Sequence, residues 1–236
     1  MSSFNKMSLI NNLNNKNFID LNENLRRFIF SMFPNIKEQD TILCREFLGS
    51  KINILITVNG FTKNISVRNG DIVCVYKGYI CKLVLFLKSI HVSFACILSL
   101  LHYHYADGTY DGSGNSVKSF GHLLSVDYKN EISIVEKEFQ DLNKLEKVLD
   151  YVLFNEKNGK RVDYFYFGDA KKGIFSSAIK VKHKILEEKN KYHHNFMRIG
   201  VMNFLPLKRN LLFVDRFDEM RHICLLRINL KKYVKK

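Results

Sequence analysis

The chain has 236 residues, of which 37 are Lys or Arg and 23 are Asp or Glu, giving a formal charge of +14 at pH 7 with 46% hydrophobic content. Pro34 and Pro206 are the only prolines and glycine occurs twelve times, which excludes a collagen-like chain or a proline-rich linker. The evenly spread apolar content excludes disorder, so the positive charge sits on a folded surface that attracts polyanions. Cys44, Cys74, Cys81, Cys96 and Cys224 form no CxxC pair and mostly lie in apolar runs, so they read as buried free thiols of a reducing compartment. The N-terminus lacks an apolar signal core, and the longest apolar run, near Val92–Leu101, is too short to cross a bilayer. The expected location is cytoplasmic, with no membrane partner.

Helical spacing in Leu21–Phe33 and again in Glu38–Leu48 predicts two N-terminal helices broken by Pro34, the second capped at Gly49. The period then changes to two. Ile52, Ile54, Ile56 and Val58 alternate with other residues, Asn59-Gly60 follows, and Ile65 and Val67 continue, which predicts a hairpin. A further strand is expected at Asp71–Tyr76, two helices meeting near His91 over Tyr79–Tyr105, and a loop at Ala106–Gly114. Helices are expected over Asp127–Phe154, strands at Val162–Phe167 and Ile174–Ser176, and a helix at Ser177–Lys189 with a lysine-rich side. Alternation returns at Met197–Phe204 and Arg221–Leu230. The sum is a mixed α/β (α+β) chain, with a helical segment over 1–45 and one α/β domain over 46–236 carrying a basic last third.

The hairpin carries the most suggestive chemistry. Metal-dependent nucleases gather a helix carboxylate, an acid early on one strand and an acid-x-Lys on the next. The carboxylates hold Mg²⁺ against the scissile phosphate and the lysine positions the attacking water. Here those places read Glu46, Asn53 and Ser66-Val67-Arg68. Asn53 is neutral and offers one carbonyl oxygen. Arg68 stays protonated, so it cannot act as a base, although it can clamp a phosphate. Asp71 in a shifted register is a substitute carboxylate, making Glu46 and Asp71 the metal ligands if the protein is active. An ordinary ion pair between Glu46 and Arg68 is the competing reading.

The stretches Lys51–Gly60, Ile65–Gly70, Tyr103–Gly114 and Val162–Asp169, with Gly173–Ser176, resemble a group of restriction-endonuclease-like proteins from mobile elements of AT-rich bacteria. That resemblance implies a central mixed sheet flanked by helices. It also implies a variant PD-(D/E)xK centre in which Asn53 stands for the metal-binding aspartate, Ser66 for an acid or serine, and Arg68 for the lysine. Asp107-Gly-Thr-Tyr-Asp-Gly fails as an EF-hand frame, since Thr109 and Lys118 occupy ligand positions, and reads as a loop closed by Asx-type hydrogen bonds.

The charge excess concentrates from Lys171 onward, with Lys171, Lys172, Lys180, Lys182, Lys184, Lys208, Arg209 and Arg221 as candidate phosphate contacts. Lys231, Lys232, Lys235 and Lys236 continue the series, interleaved with aromatic residues such as Tyr164, Tyr166 and Tyr192. The expectation is a DNA- or RNA-binding protein on a degenerate nuclease-like fold, phage or mobile-element encoded, acting in defence or counter-defence. An active Mg²⁺-dependent endonuclease is one alternative. An anti-CRISPR-like inhibitor of a nucleoprotein effector is another.

Overall fold

The computed structural model describes residues 2–114, 127–188, 196–208 and 218–235. Expectations placed on Lys118, Lys189, Tyr192, Arg209 and Lys236 lie outside the described residues. In chain order the elements are α1 (Ser2–Leu13), β1 (Lys16–Asn17), α2 (Glu23–Met32), β2 (Thr41–Glu46), β3 (Ile54–Val58), β4 (Phe61–Arg68), β5 (Val73–Tyr79), α3 (Ile80–Ser89) and α4 (Phe94–Tyr105). Then come α5 (Lys129–Glu138), α6 (Leu142–Leu149) running into a π-helical turn (Asp150–Phe154), β6 (Tyr164–Phe167), β7 (Ile174–Ser177) and α7 (Ala178–Glu188). The chain closes with β8 (Arg198–Ile199), β9 (Met202–Pro206), a 3-10 turn (Glu219–His222), β10 (Ile223–Ile228) and α8 (Leu230–Lys235). Two compact units result: Met1–Val73 with Leu153–Lys184 and Asn229–Lys236, and Cys74–Val152 with Ile185–Ile228.

The first unit holds a six-stranded mixed sheet of order β1-β2-β3-β4-β6-β7. Strands β1 to β4 are antiparallel neighbours, β4 and β6 run parallel, and β7 returns antiparallel. The β3–β4 turn forms where the sequence predicts it. Asn59 and Gly60 both take positive φ (49° and 80°), the backbone that matches strand twist in a two-residue hairpin. Helices α1 and α2 cover one face: Leu9, Leu13, Leu25, Phe28, Ile29 and Met32 pack on Ile42, Cys44, Ile54, Ile56, Val58, Ile65 and Val67. Each fully buried aliphatic or phenyl side chain in that layer contributes roughly 1.5–3 kcal/mol. The residues of opposite parity, Leu55, Ser66 and Phe165, face the other way and are also buried. There Phe154 meets Phe165 edge-on at 5.8 Å.

The segment expected to be a helix over Glu38–Leu48 is a strand from Thr41 to Glu46. Ile42, Leu43, Phe47 and Leu48 satisfy a helical spacing, but Ile42 and Cys44 alone are buried while Leu43 and Leu48 are exposed. Period two wins because it places Ile42 and Cys44 opposite Val58 and Ile56, on the face covered by α1 and α2. The expected boundary between residues 45 and 46 falls between the last two residues of β2. Helix α1 had no clear periodic signal in its asparagine-rich sequence, yet Leu9 and Leu13, four apart, are buried.

The second unit has a four-stranded sheet of order β5-β10-β9-β8, together with α3, α4, α5 and α6. The strand expected at Asp71–Tyr76 is β5, and it joins this sheet rather than the hairpin's. Two helices do meet at His91, which takes φ 61°. Of the five thiols expected to be buried, Cys44, Cys96 and Cys224 are, and burial pushes each up to about 12. Cys74 and Cys81 are exposed, the first because it alternates outward from Val73 along β5. Among the described residues no helix is long and apolar enough to cross a membrane.

Candidate nucleic-acid interface

Three of the five candidate catalytic residues come together at the ends of β3 and β4. Asn53 precedes β3 and is held in the ladder, its N–H donating to the Ile65 carbonyl (3.0 Å) and its own carbonyl accepting from Phe47 N–H (2.9 Å). Its side-chain oxygen accepts from Val67 N–H at 2.6 Å. Ser66, fully buried, donates its hydroxyl to the Lys51 carbonyl at 2.5 Å and accepts from Arg68 Nε at 2.9 Å. Arg68 Nη2 reaches the same Lys51 carbonyl at 3.3 Å.

Glu46 does not join them. It ends β2 opposite Ile54, which is itself opposite Ile65, so Glu46 shares the face of Ile54, Ile65 and α1, and its carboxylate is ion-paired with Lys6 of α1. Ser66 and Arg68 have the other parity and point to the opposite face. The helix on which the sequence placed Glu46 would have left its direction free, whereas the strand fixes it. Asp71, 65% exposed in its side chain, is ion-paired with Lys231 at 2.7 Å, and that hydrogen bond holds its carboxyl below the ordinary value.

These groups do not fit Mg²⁺. The Asn53 side-chain carbonyl is occupied by a backbone donor, Ser66 is locked to main chain, a guanidinium lies beside them, and Glu46 and Asp71 are each paired with a lysine. A hard dication calls for several free oxygens, with carboxylate charge. Among the described residues no three His, Cys, Asp or Glu side chains gather closely enough to hold an ion.

Arg68 instead opens onto a cleft of about 540 Å³ at the ends of the parallel pair β4 and β6. Lys172, Lys231 and Lys235 line it with Arg68, alongside Asn5 and Asn69. Local structure delivers each cation. Gly168 takes φ +108°, and a Cβ there would meet the Lys172 carbonyl at 2.7 Å, so the turn after β6 requires glycine. Asp169 then accepts from the N–H groups of Lys171 (2.8 Å) and Lys172 (2.9 Å), which fixes the turn and lowers the Asp169 carboxyl. Lys231 and Lys235 are four apart on α8, on the side away from buried Leu230, Tyr233 and Val234.

The other candidate phosphate contacts are scattered. Lys171 and Lys180 are exposed. Lys182 is buried with its ammonium 5.9 Å from the Phe154 ring centre, and Lys184 donates to the Tyr233 carbonyl at 3.2 Å. In the second unit Lys208 pairs with Asp218 at 2.7 Å, and Arg221, 2% exposed, is bound to Asp107 at 2.5 Å. Arg221 is therefore a buried structural cation and not a surface contact. The Asp107 loop closes as an Asx turn, with Asp107 oxygens accepting from the N–H groups of Thr109 (2.9 Å) and Gly114 (3.0 Å).

Glu156 belongs to none of the sequence motifs, yet it shapes the approach to β3. Its carboxylate accepts from the N–H groups of Lys51 (2.5 Å) and Ile52 (2.8 Å) and from the Ser50 hydroxyl (2.9 Å). Burial alone would raise this carboxyl, but those hydrogen bonds outweigh it and hold it below the ordinary range. Because folding lowers the carboxyl, the unfolded chain takes up the proton first. The stabilisation is complete above the ordinary glutamate value of about 4.3 and is lost as pH falls through the lower folded value. Denaturant unfolding of Glu156→Gln should therefore show lower stability than wild type at neutral pH and convergence with it in acid. Parallel pH curves would show that the carboxylate has no such role.

A central mixed sheet flanked by helices, with a hairpin feeding a parallel strand, is a restriction-endonuclease-like fold. Among solved structures the chain is similar to restriction endonuclease MspI in complex with its cognate DNA, with a TM-score of 0.50 at 10% sequence identity, over 96% of this chain and 88% of that chain. No protein-family model and no curated protein matches the sequence.

Proposed function

We propose that this protein binds nucleic acid, DNA or RNA, on a nuclease-like fold whose metal chemistry has been replaced by cationic phosphate capture. The observation that carries the reading is the convergence of Arg68 with Lys172, Lys231 and Lys235 in one cleft. The overall charge of +14 and the likeness in fold to an endonuclease solved with DNA add support. If Asn53 and Arg68 stand for the metal-binding aspartate and the lysine, as the sequence resemblance implies, the core also suits a phage or mobile-element protein of defence or counter-defence, one that holds nucleic acid without cutting it. Supercoiled plasmid incubated with the protein and Mg²⁺ or Mn²⁺ should be retarded in a gel yet recovered intact. Metal-dependent nicking that disappears in Glu46→Ala would overturn the reading in favour of an active endonuclease.

A further inference from the structure

We infer that the Arg68 cleft takes a terminal phosphate: the phosphomonoester end of a nucleic-acid strand, or of a free nucleotide, in preference to an internal diester. This rests on the reading that the cleft meets nucleic-acid phosphates, and it specifies which phosphate.

Charge density is the first argument. Arg68, Lys172, Lys231 and Lys235 converge on about 540 Å³, four cations beside two carboxylates among the described residues, Asp71 paired with Lys231 and Asp169 held on the Lys172 N–H. That excess is more than one diester balances, whereas a phosphomonoester carries roughly −1.5 to −2 near neutral pH and has three acceptor oxygens. The second argument is pre-orientation. Ser66 Oγ and the Lys51 carbonyl hold Nε and Nη2 of Arg68, so this guanidinium is already aimed and loses little freedom on capture. The third is size and lining. The volume lies within the range of roughly 300–1,000 Å³ usual for small-molecule sites. Asn5 and Asn69, joined by a hydrogen bond at 2.5 Å, add amide groups suited to a sugar or base next to the phosphate. Gly70 (φ +74°) and Gly168 bring main chain to the cleft without a Cβ.

Fluorescence anisotropy on the full chain tests this. One short labelled single strand is prepared with a 5′-hydroxyl, a 5′-phosphate, a 3′-phosphate, or as a closed circle, and nucleoside mono- and triphosphates are added as competitors. A phosphorylated end should bind about tenfold tighter than the hydroxyl end or the circle. Lys172→Gln and Lys235→Gln, both at exposed positions, should each erode that preference. Competition by nucleotides identifies the free nucleotide as sufficient; a preference without competition identifies the strand end, and either result supports the inference. Equal binding of all four strands overturns the inference alone, as does a preference that survives both substitutions. Nucleotide binding without strand binding removes nucleic-acid recognition and keeps the phosphate site. Binding of neither removes both.

Discussion

Asn in place of Asp107 is expected to lower the unfolding free energy by about 3–5 kcal/mol, the usual consequence of stranding one partner of a buried ion pair. The side chains of Asp107 and Arg221 are 0% and 2% exposed, and Arg221 Nη2 lies 2.5 Å from Asp107 Oδ2. The guanidinium carbon sits 6.0 Å from the Tyr105 ring centre, and Nε and Nη1 have no hydrogen-bond partner among the described atoms, so Asp107 carries the neutralisation. Asn preserves the shape and the Asx turn to Thr109 but removes the charge. Arg221→Met in the Asp107→Asn background should recover part of the loss, because it removes the uncompensated cation. Denaturant unfolding of the two single variants and the double variant measures this. A loss under about 1 kcal/mol for Asp107→Asn would show that water already neutralises Arg221.

The second large effect is on binding. Lys172→Glu together with Lys235→Glu reverses two charges at exposed cleft positions, without touching the hydrogen bonds that anchor Arg68. Affinity for a short duplex or single strand at roughly 0.1 M salt should fall on the order of a hundredfold, since each reversal replaces attraction to phosphate with repulsion. The same two reversals at Lys180 and Lys208 should cost much less. Lys180 does not line the cleft, and Lys208 is engaged by Asp218. Equal losses from both pairs would mean that diffuse charge, and not the cleft, holds the ligand.

The hairpin and the Asn53–Ser66–Arg68 group were legible because the information is local. Asn59-Gly60 fixes the turn, the turn fixes the register, and the register brings the residues before Ile54 beside those after Ile65. Glu46 was misplaced because a six-residue run with adjacent apolar pairs satisfies both periods. Only pairing with β3 decides between them, and that decision sends the carboxylate to the opposite face. The cleft was invisible as a unit. Its cations come from the end of β4, the turn after β6 and the last helix, and nothing local links Arg68 to Lys235. Arg221 looks like a surface cation in the sequence for the same reason, since its partner lies 114 residues away. The spacing of Lys231 and Lys235 was the one available sign that two of the terminal lysines share a face.

The most direct measurement is the dependence of the binding constant on salt for wild type and for Lys172→Glu/Lys235→Glu. Capture of phosphate in the cleft predicts a steep fall of log K with log salt for wild type and a slope shallower by about two in the variant. Parallel lines, or wild-type binding indifferent to salt, would contradict it.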